Sequence, residues 1–346
     1  MGNGLRRNNF IPLVTMISDD EENDNFTTNA LFVKQPFLVY ALFKDSDGSY
    51  YIPAKGVVLK RTSDCIASVR HPGIRVCQWI DGSGDCSKLV VVTTRRVNEF
   101  RQSDEWRVLI NQSKCSFDLS TSFLNKIIMF GYESCTPTLV YVISEFCPGT
   151  DLLNCIVERG HAPPENEAVD ILYQIAQGIL QLKHVCGVAH MDLSLENVII
   201  SHEGHCRLID FEFATVLAES SELKGKFNYI APEVYALKHE SSRSNVYNPY
   251  AADVWSFGVV AYALLTFSCL YASPEDRIVR RIYMGNCSLG QIMEKQRRAS
   301  FRRQCWDLLS NEAKGFLEWI LQGNPLKRPS IEMICEHPWF GDKKNK

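Results

Sequence analysis

The chain has 346 residues, 45% of them hydrophobic and 22% charged, a globular balance that excludes a wholly disordered, collagen-like or mucin-like protein. That length is enough for about two domains, and a net charge of -3 gives no reason to expect a nucleic-acid or membrane-surface binder. Thirteen cysteines, an odd count at irregular spacing with no C-x-x-C, predict reduced thiols, not a disulfide framework or a structural zinc site. Glycine is scarce, 20 in all, where about 7% is usual.

In chain order, residues 1–34 predict a flexible tail. An apolar patch, Phe10–Ile17, is followed by the acidic run Asp19, Asp20, Glu21, Glu22 and Asp24, which is no secretory signal. Gly2 and Asn3 admit an N-terminal lipid anchor, but the Ser or Thr such a motif needs is Arg6. The favoured expectation is an unmodified tail and a cytoplasmic, intracellular protein.

Residues 35–146 read mostly as strands: Phe37–Phe43, an Asp-Ser-Asp-Gly turn, an extended run Tyr50–Leu59, then Cys65–Val69 and Leu89–Thr93 around a loop at Asp81–Asp85. A helical stretch near Asp104–Asn111 precedes strands at Lys126–Gly131 and Leu139–Ser144. From 147 to 341 the chain is mainly helical. Ala168, Leu172, Ile175, Ile179 and Leu182 fall on one helical face, a hairpin follows at Val198–Ile200 and Cys206–Ile209, and helices dominate beyond Asp253. The apolar stretch Phe257–Ala272, broken by Thr266 and Ser268, is shorter than the roughly 18 to 20 residues of a membrane span and predicts a buried helix, with no transmembrane segment. Residues 342–346 form a short tail. The predicted class is α+β, a small β-rich lobe followed by a larger helical lobe.

Four short motifs follow one another in the second part. They are His190-Met191-Asp192 with Asn197, Asp210-Phe211-Glu212, Ala231-Pro232-Glu233, and Asp253-Val254-Trp255-Ser256-Phe257-Gly258. Asn324-Pro325-Leu326-Lys327-Arg328-Pro329 and His337-Pro338-Trp339-Phe340 close the series. The run resembles the eukaryotic protein kinase family, serine/threonine branch, over roughly residues 57–341, and is most specific from Glu145 onward. The resemblance implies a two-lobed protein-kinase-like fold and transfer of the ATP γ-phosphate to hydroxyls of a protein substrate.

It also implies roles for individual residues. Asp192 is the catalytic base, and Asn197 and Asp210 are ligands of Mg²⁺, with Mn²⁺ as the alternative. Leu59, Ala67 and Val91 fall on the nucleotide side, Ser144 in the gatekeeper place, and Glu145 and Cys147 in the hinge that holds adenine. Glu233 is expected to pair with Arg328, and Asp253 to hold the His190–Asp192 turn.

The pattern breaks at several places. The three phosphate-loop glycines fall on Lys60, Thr62 and Cys65, so side chains stand where close approach needs none. Thr93 takes the place of the ATP-clamping lysine, with Glu105 as that lysine's usual partner only 12 residues on. Lys60, Arg70 or Arg95 could supply the missing cation. Met191 replaces the arginine that usually receives an activation-loop phosphate, and Glu212 replaces the glycine of D-F-G, facing either the metal or solvent. Ser194 stands where the family keeps a lysine near the γ-phosphate, and Lys226 where it keeps a threonine, an exchanged pair beside Asp192.

Arg297-Arg298-Ala299-Ser300-Phe301 resembles a site for basophilic kinases or is a solvated helix face. Thr215, Ser220 and Ser221 are generic candidates for phosphorylation. The expected function is a protein serine/threonine kinase using ATP. The alternative is a pseudokinase, a binding or scaffolding module that the missing glycines and Thr93 favour.

Overall fold

The computed structural model describes residues 39–44, 46, 49–62, 74–84, 88–96, 104–105, 107–108, 122–133, 139–238, 246–273, 275–285 and 287–345. The expected tail 1–34 with Gly2, the strand Cys65–Val69, Ala67 and Arg70 all lie outside the described residues. The chain divides into two compact units: residues up to Gln102 with Lys126–Phe146, and Ser103–Asn125 with Cys147 onward. The stretch 103–125, expected in the first lobe, therefore groups with the second.

The first unit is built from β1 (Val39–Lys44), β2 (Tyr50–Ile52), β3 (Val57–Arg61), β4 (Ile74–Ile80), β5 (Lys88–Arg96), β6 (Ile127–Glu133) and β7 (Leu139–Glu145). Their order, β1-β2-β3-β4-β5-β7-β6, closes into a barrel through a parallel pairing of β1 with β6. The extended run expected over Tyr50–Leu59 is two strands. Pro53 starts a 3₁₀ turn that Gly56 ends at φ 61°, a conformation glycine adopts without a Cβ penalty.

Strand β4 is absent from the sequence expectation because Arg75 and Gln78 interrupt its apolar pattern. Arg75 lies on the interior face with Cys77, and its guanidinium donates to the Tyr50 hydroxyl, so a charged residue is accommodated there by a polar partner. Leu42, Tyr50, Ile52, Leu59, Cys77, Val90, Val92, Met129, Tyr141 and Ile143 fill the interior.

In the second unit β8 (Thr150–Asp151) pairs with β9 (Val198–Ile200), itself paired with β10 (Cys206–Leu208). Helix α1 (Leu152–Arg159) starts where Asp151 accepts from Asn154 N–H at 2.9 Å, and stops at Gly160, φ 77°. Both are ordinary capping devices. The long helix α2 (Glu165–Gln181) carries the predicted apolar face and runs into a π turn, Leu182–Cys186. Gln174 clamps it to the hairpin, donating to Gly204 O at 2.9 Å and accepting from Cys206 N–H at 2.9 Å.

Further along lie α3 (Pro232–Ala236), α4 (Pro249–Thr266), α5 (Arg277–Tyr283), α6 (Leu289–Glu294), α7 (Phe301–Leu308), α8 (Asn311–Ile320) and α9 (Ile331–Cys335). Asn248 caps α4 by accepting from Tyr250 and Ala251 N–H, and Pro249 fits its first position. α4 is buried on nearly every side, and its Phe257 meets Phe316 of α8 edge-on at 6.4 Å. Among the described residues no helix is long and apolar enough to cross a membrane, and the described cysteines are free thiols.

Candidate active site

The site in the second unit is built on the turn after the π segment. Ala189 pairs with Thr215 through two backbone bonds of 2.8 and 3.0 Å, and Met191 then turns the chain at φ 65°. Asp253 of α4 fixes that turn, its carboxylate accepting from His190 N–H at 2.6 Å and Met191 N–H at 2.8 Å. Asp253 is only 2% exposed. Burial pushes its carboxyl up to about 7, although the two N–H donors pull it down.

The His190 ring is fully used: Nε2 faces Ile209 O at 3.1 Å, and Nδ1 accepts from Asp192 N–H at 3.3 Å. Burial lowers its pKa against the pull of Asp192 and Asp210, so the ring is neutral and rigid beside Phe211, 5.5 Å between centroids.

Asp192 follows the turn and is buried. Asn197, ending a 3₁₀ turn (Leu195–Asn197), donates from Nδ2 to Asp192 O at 2.7 Å and to Asp192 Oδ2 at 2.8 Å. Asp192 Oδ1 has no hydrogen-bond partner. Burial raises the Asp192 pKa, while Lys226, His190 and Asn197 pull it back down. The hairpin explains why Asn197 and Asp210 share one end: Asn197 enters β9, Asp210 leaves β10, and Ile209 N–H donates to Asn197 O at 3.0 Å. Asp210 has φ 62° and an exposed side chain.

Ser194 and Lys226 meet. Lys226 Nζ donates to Ser194 Oγ at 2.7 Å and lies 3.6 Å from Asp192 Oδ2. The preceding Gly225 has φ 99°, and a Cβ there would stand 2.8 Å from Met191 O, so only glycine fits this approach. Glu212 is half-buried.

A further link escaped the sequence expectation. Asp104 N–H donates to Ala214 O at 3.0 Å, and Asp104 Oδ2 accepts from Val216 N–H at 2.7 Å, tying down the chain just beyond Asp210. Its signal is an aspartate opening a short helical stretch, a capping signature.

The other expected site residues lie as follows. Register places Val91 directly opposite Ser144 and Thr93 opposite Val142. Directly opposed residues share a face, so Val91, Thr93 and Ser144 come together on the outer face of the barrel. Lys60 and Arg95 share that face by alternation along their ladders. Leu59 does not; it is sealed inside with Val90 and Val92. Glu145 N–H donates to Lys126 O at 2.9 Å. Cys147 begins the second unit, where its thiol donates to Asn125 Oδ1 at 3.2 Å. Glu105 is buried and groups with the second unit, whereas Thr93 belongs to the first.

Of the candidate acceptors, Ser300 caps α7 by accepting from Arg303 N–H at 3.3 Å. Thr215 and Ser220 are buried in backbone bridges, and Ser221 is exposed.

A protein kinase domain model matches residues 93–340, and the chain belongs to that family. The match takes up the chain within β5, so the preceding strands lie outside it. The chain is 34% identical over 212 residues to calcium-dependent protein kinase 12 of Arabidopsis thaliana, covering 59% of this chain and 39% of that protein. It is 31% identical over 210 residues to CDPK-related kinase 5 of Arabidopsis thaliana, covering 59% and 31%. Similarity to the serine/threonine-protein kinase GIN4 of Saccharomyces cerevisiae is 31% over 206 residues, covering 59% and 16%. The matched region thus spans well under half the length of these relatives.

Proposed function

We propose that the chain is a protein serine/threonine kinase that moves the γ-phosphoryl group of ATP to a protein hydroxyl. The observation that carries this is the pair Asp192 and Asn197. A buried carboxylate has one oxygen held by an amide, 2.8 Å away, and the other without a hydrogen-bond partner. Such a carboxylate is oriented, and its unpaired oxygen, covered here, can accept one hydrogen bond once a hydroxyl displaces what covers it, which is what a base for an incoming hydroxyl needs.

The donor set also suits a divalent cation. Because the Asn197 amide nitrogen is committed to Asp192, its carbonyl oxygen is the atom available to a cation, and Asp210 adds an exposed carboxylate from the same hairpin end. Among the described residues no group of three or more His, Cys, Asp or Glu could hold a metal. A two-residue oxygen set is nevertheless what Mg²⁺ takes when phosphates and water complete its shell. Bound there, the cation would neutralise phosphate charge during transfer. Asp192 would orient the hydroxyl and take its proton, while Asp253 and the neutral His190 keep that carboxylate in place.

Thr93 and the non-glycine positions Lys60 and Thr62 favour a second reading, a nucleotide-binding module without turnover. Radiolabelled phosphate transfer from ATP with Mg²⁺ separates them, with Asp192→Asn as the blank. Label in the wild type well above the blank is the expected result, and equal label in both leaves only the module.

A further inference from the structure

We infer that the cation serving the transferring phosphoryl group is Lys226, carried on the segment between Asp210 and Glu233, with Ser194 as its positioning residue. The inference rests on the kinase function proposed above and extends it to the residue that supplies the cation.

Charge on the transferring group must be offset by cations fixed near it, because positioning and electrostatics supply nearly all the catalysis. Among the described residues of the second unit, His190, Lys224 and Lys226 come into question. His190 is neutral and both ring nitrogens are engaged. Lys224 is bound to Glu222 at 2.6 Å. Lys226 sets its ammonium 3.6 Å from Asp192 Oδ2, beside the carboxylate that would receive the substrate hydroxyl.

Its geometry suits delivery of charge to a ligand. An ammonium has three donors. One goes to Ser194 Oγ at 2.7 Å, a second faces Asp192, and the third remains for an incoming oxygen. The Lys226 side chain is 34% exposed, so a ligand can reach it, while Ser194 is fully buried and holds the ammonium from behind. A solvated loop lysine has no reason to end on a buried hydroxyl.

Lys226 is also held by its own segment: Tyr229 and Ile230 N–H both donate to Lys226 O at 2.9 Å, and Gly225 packs against Met191 O. The backbone of residues 225–230 thus fixes where the ammonium stands.

The test uses the full chain and a mimic of the transferring group, ADP with Mg²⁺ and aluminium fluoride, against ADP with Mg²⁺ alone. Calorimetry should show Lys226→Thr weakening the mimic on the order of a hundredfold, the loss expected for one preorganised donor, with ADP affinity unchanged. Ser194→Lys/Lys226→Thr, which moves the ammonium back across the same contact, should regain the mimic and the turnover. Phosphate transfer should fall in Lys226→Thr through kcat, with KM for ATP little altered. Lys226→Thr binding the mimic as tightly as wild type overturns the inference, and so does a double variant that melts like wild type yet regains nothing. Neither result touches the kinase function, which is overturned separately if the wild type transfers no more label than Asp192→Asn.

Discussion

Arg328 and Glu233 meet as a fork, Nη1 and Nη2 each donating to one carboxylate oxygen at 2.6 and 2.7 Å. The guanidinium also donates to Gln322 O and Ala251 O, each at 2.8 Å, and lies 5.1 Å from the Trp255 ring. It thereby joins the first turn of α4 and the residues just after α8 to the start of α3. Removing one partner of such a pair strands a charge and costs about 3–5 kcal/mol. Glu233→Gln and Arg328→Met should each lower stability by that order in urea unfolding. The double variant should lose less than the sum of the two, because neither charge is left alone.

A second prediction concerns pH. The Asp253 carboxyl is raised to about 7 in the folded protein, whereas an unfolded aspartate titrates near 4. Between those values the folded state holds a proton that the unfolded state has released. Stability therefore falls as pH rises through that window, by up to about 1.4 kcal/mol per unit from this group. Thermal melting between pH 5 and 8 should show the slope, and Asp253→Asn should flatten it. A profile identical in the two proteins would remove Asp253 as the cause.

Gly225 makes a third test. Alanine there must adopt φ 99° with its Cβ 2.8 Å from Met191 O, a strain of about 1–3 kcal/mol. The expected outcome of Gly225→Ala is faster proteolytic cutting within residues 214–231 and reduced phosphate transfer, while the global melting temperature changes little. The strain falls on a local segment and not on the core around Trp255 and Phe257.

Ser144 supplies the fourth. It stands opposite Val91 on the outer face of the barrel, buried there, in the gatekeeper place that the family resemblance implies. Ser144→Phe should weaken inhibition by purine analogues carrying a bulky aromatic group by on the order of tenfold, the effect of about 1.4 kcal/mol. KM for ATP should stay near the wild-type value. Equal inhibition of both proteins would place those analogues elsewhere.

How far the sequence could be read depended on the range of the contacts. The second unit was legible because its markers act through near neighbours: Asn197 on Asp192, and the hairpin on Asp210. Contacts between distant residues were legible only through the family pattern, as for Glu233 with Arg328 and Lys226 with Ser194, since neither pair is suggested by spacing. The first unit resisted. Arg75 and Gln78 hid β4 because a strand with a polar residue on each face has no clean alternation, and Pro53 with Gly56 divided a run that composition alone made continuous. Leu59 illustrates the same weakness. Its place in a motif suggested the nucleotide side, but strand parity, which no composition reports, turns it inward.

The closure of β1 onto β6 bears on what the first unit can bind. Among the described residues each strand of the barrel has a neighbour on both sides over at least part of its length, which leaves little open backbone to accept a strand from another chain. Association by strand addition, a common way for peptides to join a sheet, is correspondingly disfavoured there. Contacts through side chains are therefore the expected mode for a partner of this unit.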